Sequence, residues 1–413
     1  MDSAEVVVIG AGLAGLRCAL ELARAGREVV VLEAQDRVGG RQRTDRVDGF
    51  LLDRGFQVLN PAYPAVRRDI DVDSLGLRSF PVAVRVRLAG RTVELAHPLR
   101  HPARLPRTLA SGLLDPQELS ALARWALPTI VAPRRAVRGR DIPLADAWDT
   151  AGIHGPLRAR VLEPFLAGVL ADGSGATSDA FVRLLMRMFA LGRPALPATG
   201  IEALPRQLAR RVGGAGGRIR LSHRVARIDR DGPRILVVGP DIDTLRAGKV
   251  VVATGPDVVS DLVDLPRPVT RGLQTWWFDA DAPPSASGAV HVDGTRSGPV
   301  VNTAVISHTV PEYAPAGQHL VQATCLLSPS DAADETAVRR HLVTIWGPAA
   351  TGWRLLRRDD IPDALPAQPA PLRLRSTALV TDGVHVAGDH RDTASIQGAL
   401  VSGTRVAQAV VAS

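Results

Sequence analysis

Residues Gly10 to Gly15 read GAGLAG and follow directly on Glu5 to Ile9, a run of mostly β-branched residues expected to form a strand buried on both faces. Gly10 permits a tight turn, Gly12 lets backbone approach a pyrophosphate, and Gly15 lets the following helix pack against the strand. That helix begins at Leu13 and Ala14, whose N–H groups are free at the positive end of its dipole and can meet phosphate oxygens. Glu33 ends a second apolar run, Glu28 to Leu32. A carboxylate at that place accepts from both hydroxyls of a ribose and repels a 2′-phosphate, so the expected ligand is FAD or NAD rather than NADP.

A second glycine pair follows in GGRQRT, Gly39 to Thr44, where Gly39 and Gly40 again permit close backbone approach and Arg41 is placed to neutralise phosphate. Together with Glu33 this pattern resembles the flavin-containing amine oxidase and phytoene desaturase superfamily, and the resemblance continues along the chain in order. LLDRGFQVL, Leu51 to Leu59, is similar to the D-x-G segment that runs alongside the flavin ring, which puts Gly55 at the cofactor and Asp53 in support of it. RVARID resembles the strand whose backbone, here at Val225, meets adenine, and KVVVATGP resembles the strand returning beneath the FAD. His385 to Val410, HVAGDHRDTASIQGALVSGTRVAQAV, is similar to the closing FAD motif. The resemblance implies that Gly388 and Asp389 lie at the ribityl chain and phosphates, and that Ser395, Ile396 and Gln397 form a helix start near the flavin O2. No cysteine lies in that motif, so non-covalent FAD is expected.

The superfamily carries amine oxidases, carotenoid desaturases and isomerases, and protoporphyrinogen oxidases on one scaffold, so resemblance alone leaves the reaction open. The first reading is an FAD-dependent oxidoreductase that desaturates a hydrophobic small molecule by hydride transfer to flavin N5, with oxygen or a quinone as electron acceptor. The alternative is an amine oxidase producing an imine and hydrogen peroxide. A third, of another class, is a flavin-bound or membrane-surface binding protein that turns nothing over. Lys249, the only lysine, begins an expected strand and is poorly placed to hold a water at N5, while Tyr63 and Tyr313, the only tyrosines, make a two-tyrosine cage unexpected. Gln57 is the catalytic candidate, a polar group expected to face substrate, with a structural hydrogen bond in its loop as the equal alternative. Trp276 and Phe278 are expected to wall the substrate pocket. The ten histidines show no metal spacing, and no metal is expected.

These residues need an α/β scaffold to hold them. The opening βαβ unit, the Lys249 strand and the C-terminal strand and helix imply a Rossmann-type FAD-binding domain assembled from residues 1–75, 200–262 and 370–413. An inserted α+β substrate domain, 76–199 and 263–369, completes a two-domain flavoprotein like the amine oxidases and glutathione reductases. It is expected to contain a hairpin turning at Ala89 and Gly90, several strands between Arg271 and Leu327, and helices over 180–191 and 331–346. The apolar stripe Phe181, Leu184, Leu185, Met188 and Phe189 reads as core. Strands are also expected at 218–221, 224–229 and 235–238.

The 413 residues, 46% hydrophobic and 22% charged, exclude a disordered or fibrous chain. A net charge of +8 rests almost wholly on arginine, in a composition rich in Ala, Gly and Pro that points to a GC-rich coding sequence. Arginines gather modestly at 100–107, at Arg134, Arg135, Arg138 and Arg140, and over 206–230. Without a basic tail or an aromatic-rich binding motif they imply no nucleic acid; they read first as solvated faces of helices and strands, with a peripheral membrane or ligand-docking patch as the alternative. Cys18 and Cys325 form no disulfide or metal pattern, which suggests a reducing, cytoplasmic setting. No run of about 18 apolar residues offers a membrane span.

Overall fold

The computed structural model describes residues 3–98, 100–133, 139–240 and 242–413. Its first strand, Ser3–Ile9, is buried without interruption from Val6 to Ile9, as a run of β-branched residues inside a parallel sheet must be. Parallel strands flank it: Val29–Leu32 on one side and Ile242–Val252 on the other. The crossover helix Leu13–Arg24 buries Leu13, Leu16, Leu20 and Ala23 at helical spacing, and Gly26, at φ 78°, ends the turn beyond it.

Arg218–Arg220 extends the sheet in parallel beyond Val29–Leu32. The long strand Ile242–Val252 has two neighbours along its outer edge. Antiparallel Arg234–Gly239, itself paired with Arg227–Asp231, covers the first part; parallel Val384–Val386, paired with Leu379–Thr381, covers the last. Two expectations shift accordingly. Lys249 lies inside a strand rather than at its start, and its ammonium donates to the Val410 carbonyl at 3.0 Å and the Ser413 hydroxyl at 2.5 Å. The strand expected from Arg224 starts at Arg227, so Val225 belongs to the extended segment before it.

The parallel strands all end at one edge. There Gly10 N–H donates to Leu32 O, Ala253 N–H to Ile9 O and Ala387 N–H to Val252 O, so three chain segments arrive side by side where an open α/β sheet presents its ligand site.

A second sheet has the order Arg354–Pro366, Thr270–Ala280, His319–Leu327, Val300–Val305, Val290–Asp293, Ala83–Leu88, Arg91–Ala96. All neighbours are antiparallel except Val290–Asp293 with Ala83–Leu88. The hairpin turns at Ala89 and Gly90 as expected. Arg354–Pro366 is absent from the sequence reading, and the reason is physical: it is an edge strand, where six charged residues and the internal Pro362 are tolerated because one side of its backbone needs no partner. One face of this sheet is covered by the helix Glu335–Trp346, which starts later than expected because Asp334 caps it, accepting from Ala337 N–H at 2.7 Å. A third group of helices, Pro116–Val131, Leu144–Ala151, Glu163–Leu170 and Asp179–Leu191, closes around Trp125, Trp148 and Phe181.

The closing helix Ile396–Ala412 lies against the crossover helix at a point of backbone contact. A Cβ added at Gly403 would stand 2.3 Å from Ala14 O and 3.1 Å from Arg17 Cβ. Gly403→Val should force the two helices apart and destabilise the fold by about 1–3 kcal/mol, lowering the thermal midpoint and the FAD content together. Gly213→Ala, with nothing within 4 Å of the added carbon, should leave both at or above wild type.

Candidate active site

The first helix offers its N-terminus without competition. Gly12 is its N-cap, no side chain caps it, and no acidic residue lies in its first turn. Gly10, at φ 106°, holds a conformation that disfavours a side chain, and a Cβ there would fall 2.7 Å from Ala253 O. Gly15 has no room at all: its Cβ would sit 2.0 Å from Gly10 O. Gly40 faces Gly12 across the mouth of this turn, where a Cβ on Gly40 would come 3.3 Å from Gly12 Cα, while Gly39 N–H donates to Ala11 O at 2.9 Å. Two bare backbone loops thus form a cradle that any side chain would fill.

Glu33 follows the second strand and is buried beside that cradle, its carboxylate accepting from Ala11 N–H at 2.7 Å and Gln35 N–H at 3.0 Å. Ser222 and His223 donate their N–H groups to Gln35 O and Glu33 O, which leads the extended segment carrying buried Val225 past the carboxylate.

Arg41 and Asp389 are brought together across most of the chain. The guanidinium bonds to Asp389 Oδ1 at 2.5 Å and to Ala364 O at 2.9 Å. Asp389 stands in the short turn after Gly388, next to His390, whose two ring nitrogens are buried without a hydrogen-bond partner and whose basicity burial depresses to about 4. Ser395 is the N-cap of the closing helix, accepting from Gly398 N–H at 3.0 Å, and leaves the amides of Ile396 and Gln397 at the helix start. Gln397 is anchored: its Oε1 accepts from Ala65 N–H at 2.8 Å. Gln57 adopts the bracing alternative. Its amide donates to Arg41 O at 2.7 Å and Arg54 O at 3.0 Å and accepts from Gln42 at 3.3 Å, so the side chain expected to face substrate fixes the Arg41 loop instead.

A cavity of about 420 Å³, the open solvent at its mouth included, adjoins this cradle. Tyr63, next to the segment that holds Gln397, and Ala394, just before Ser395, form one wall, and Leu365 to Gln368 continue from the carbonyl that takes Arg41. Val169, Leu170, Phe181 and Leu185 supply helical lining, with Thr177 and Arg271 as further polar members. None of the lining residues is acidic and none is lysine. Phe181 and Leu185, read from sequence as core, therefore also face a cavity.

Trp276 and Phe278 do not. Both are buried on the face of the second sheet covered by Glu335–Trp346, where Phe278 meets Trp353 and the Arg358 guanidinium lies over Trp276. Alternation along Thr270–Ala280 sends Thr275 and Trp277 the other way: Thr275 Oγ1 accepts from Phe56 N–H at 3.3 Å, and Trp277 joins the core of the parallel-sheet layer. The strand is buried on both faces, so hydrophobicity could not tell the two sets apart. Tyr63, Arg271 and Gln368 were missed because nothing local marks them; only the fold gathers them. Tyr63 and Tyr313 lie apart, one at the cavity and the other bonded to Asp53.

The bare glycine cradle, the uncapped helix start and the unpartnered nitrogens of His390 fit a ligand that presents a pyrophosphate and polar groups along its length. A family model for flavin containing amine oxidoreductases matches residues 13–411. The chain belongs to that family. Its cofactor is accordingly FAD. Among curated relatives, a protein of Mycobacterium tuberculosis named as a flavin-containing monoamine oxidase is 30% identical over 61% of this chain and 57% of its own, and a phytoene dehydrogenase of Streptomyces griseus is 28% identical over 61% and 54%. The chain thus spans little more than half the length of these relatives. An oxidoreductase structure from Methanosarcina mazei, 20% identical, superposes with a TM-score of 0.78 over 98% of this chain and 100% of its own, which shows a common fold.

In this member of the family the D-x-G segment is tied down by Asp53. The carboxylate accepts from Thr44 Oγ1 at 2.6 Å, Ile201 N–H at 3.1 Å and the Tyr313 hydroxyl at 2.8 Å. Burial outweighs these bonds and lifts its carboxyl to about 6, and burial beside Asp53 likewise raises the Tyr313 phenol well above its ordinary value. The folded protein therefore keeps a proton on Asp53 that an unfolded chain releases near pH 4. The stability this proton confers is complete below about pH 4 and is lost as pH rises through about 6. Asp53→Asn should flatten that decline; thermal midpoints of both proteins from about pH 4 to about pH 7 test this, and parallel curves would refute it.

Proposed function

We propose that the chain is an FAD-dependent oxidoreductase that desaturates a hydrophobic small molecule. A cofactor domain of residues 1–75, 200–262 and 370–413 and a substrate domain of 76–199 and 263–369 would meet at the cavity. The observation that carries the reading is that cavity: nine of its twelve lining residues are apolar or aromatic, and Leu365, Tyr63 and Ala394 among them lie one or two residues along the chain from the groups that bond Arg41, bond Gln397 and cap the closing helix. FAD, when bound, accepts hydride at its N5.

The chain's residues bind and orient. The start of the first helix, with Gly12, would receive the pyrophosphate, Glu33 the ribose, and the Val225 segment the adenine. Asp389, held by Arg41, would meet the ribityl chain, Gly55 would lie beside the ring, and the helix start at Ser395, Ile396 and Gln397 would serve its pyrimidine end, where backbone amides favour added negative charge. Binding is non-covalent, neither cysteine lying in the closing segment. Apolar walls exclude water and set the reacting carbon against the ring, and positioning of this kind supplies most of what such an oxidation needs. No protein base is required. Lys249, bonded at the far end of the closing helix, cannot hold a water there. Oxygen or a quinone would take the electrons.

Peripheral membrane contact fits a hydrophobic substrate. Half of the exposed large aliphatic side chains among the described residues lie on two helices consecutive along the chain, among them Leu109 at 63%, Leu127 at 53% and Val131 at 80% exposure, with exposed Arg107 and Arg124 on the same helices. Arg134, Arg135 and Arg138, part of the same basic stretch of sequence, fall outside the described residues. No helix among the described residues is long and apolar enough to cross a membrane. A cytoplasmic site of action suits the two buried, free cysteines.

The purified protein should be yellow, and its flavin should bleach anaerobically on adding a polyene but not putrescine or benzylamine. Peroxide release with those amines and no reaction with polyenes would establish the amine oxidase instead, and colourless, folded protein that refuses FAD would end both readings. Vesicles containing phosphatidylglycerol should pellet the protein at low salt and release it at high salt, and Leu109→Glu with Val131→Glu should abolish pelleting; equal recovery from pure phosphatidylcholine would remove the anionic membrane as partner.

A further inference from the structure

Arg271 is the only cation among the cavity's lining residues, and its hydrogen-bond donors are uncommitted. It stands on the strand Thr270–Ala280 opposite Leu365, with a half-exposed side chain. Its nearest carboxylate, Asp172, is 3.8 Å away, too far for a hydrogen bond. Asp172 is also fully occupied: one oxygen accepts from the Ser174 N–H at 2.9 Å and hydroxyl at 2.6 Å, the other from the Thr177 N–H at 3.1 Å and hydroxyl at 2.7 Å. Four bonds fill the acceptor capacity of a carboxylate. Asp172 thus folds its own loop and steadies the guanidinium by charge alone, while no donor of Arg271 is committed to a hydrogen bond among the described residues. A planar fork of N–H groups left open at the edge of an apolar cavity suits a planar, two-oxygen anion.

We propose that Arg271 binds the carboxylate of the substrate, which is therefore a hydrophobic monocarboxylic acid: a long apolar body in the cavity and one anionic end at the guanidinium. Arg271 is the only cation among the lining residues and already faces Asp172, so a diphosphate, which carries two or more negative charges, would be left largely uncompensated among apolar walls. A protonated amine would meet a like charge with no lining carboxylate to offset it. This assignment rests on the cavity being the substrate site of the oxidoreductase proposed above, and it makes Arg271 a specificity-determining residue rather than a catalytic one.

Calorimetric titration of the FAD-loaded protein with dodecanoate and with methyl dodecanoate tests it, using wild type, Arg271→Lys and Arg271→Gln. Wild type should prefer the acid by roughly 10- to 100-fold, the price of removing hydrogen bonds to a charged group. Arg271→Gln should lose that preference with the ester unaffected, and Arg271→Lys should recover part of it. Flavin content and thermal midpoint should be unchanged in both variants, since Arg271 makes no hydrogen bond whose loss would unfold the strand. Equal binding of acid and ester, binding of neither, or an acid preference that survives Arg271→Gln would overturn the proposal. The two readings separate cleanly. Oxidation of neutral polyenes that ignores Arg271 would leave the oxidoreductase standing without this substrate class. Arg271-dependent binding of dodecanoate by a protein that oxidises nothing would do the reverse.

Discussion

Backbone touching backbone is the constraint on which this structure depends. Gly15 lies against the Gly10 carbonyl, Gly403 against the Ala14 carbonyl, and Gly40 against Gly12. Each approach is closer than a Cβ allows or comfortably tolerates, and together they bring the first strand, the crossover helix, the Arg41 loop and the closing helix to one edge of the parallel sheet. Apolar burial stabilises the layers, but layers alone would leave these segments an ångström or two too far apart. Contacts of that precision come only from missing side chains, and a ligand backbone can then approach peptide backbone in the same way.

Electrostatics follow from the same gathering of segments. Arg41 and Asp389 pair because the loops that carry them, remote in sequence, meet at the same edge of the parallel sheet. The pair spends part of the positive charge that a phosphate alone would otherwise attract, so Arg41 acts as much to hold Asp389 as to meet anions. Arg271 is the contrasting case: its neighbour Asp172 is saturated by its own loop, and the guanidinium's hydrogen-bonding capacity is left for something else.

The parts of the glycine cradle were legible in the sequence because they are local. Strand, glycine turn, helix and acid all fall within the first few dozen residues, and the closing motif is one continuous segment. The cavity was not legible, because Tyr63, Phe181, Arg271 and Gln368 come from four separate elements and none has a local signature. Errors arose where two faces of an element are equally apolar, as at Trp276, Trp277 and Phe278, where only pairing decides which way a side chain points. The charged strand Arg354–Pro366 went unseen for the opposite reason: an edge strand can dispense with the alternation by which strands are recognised. Gln57 shows a third limit, since residue type and position could not distinguish a group that faces a ligand from one that braces its neighbour.

The contact between Gly403 and Ala14 also sets an order of events during synthesis. The crossover helix emerges early from the ribosome with the face that its partner will cover still bare, and that partner, the closing helix, is made hundreds of residues later. The outer edge of Ile242–Val252 likewise waits for Val384–Val386 before its sheet is complete. Long-range pairings of this kind carry a loop-closure cost and form slowly. The N-terminal βαβ unit, for all its local clarity, is therefore a half-finished surface through most of the chain's elongation. Until the closing helix docks against it, the unit exposes the apolar face of the crossover helix, and such exposure favours misassociation.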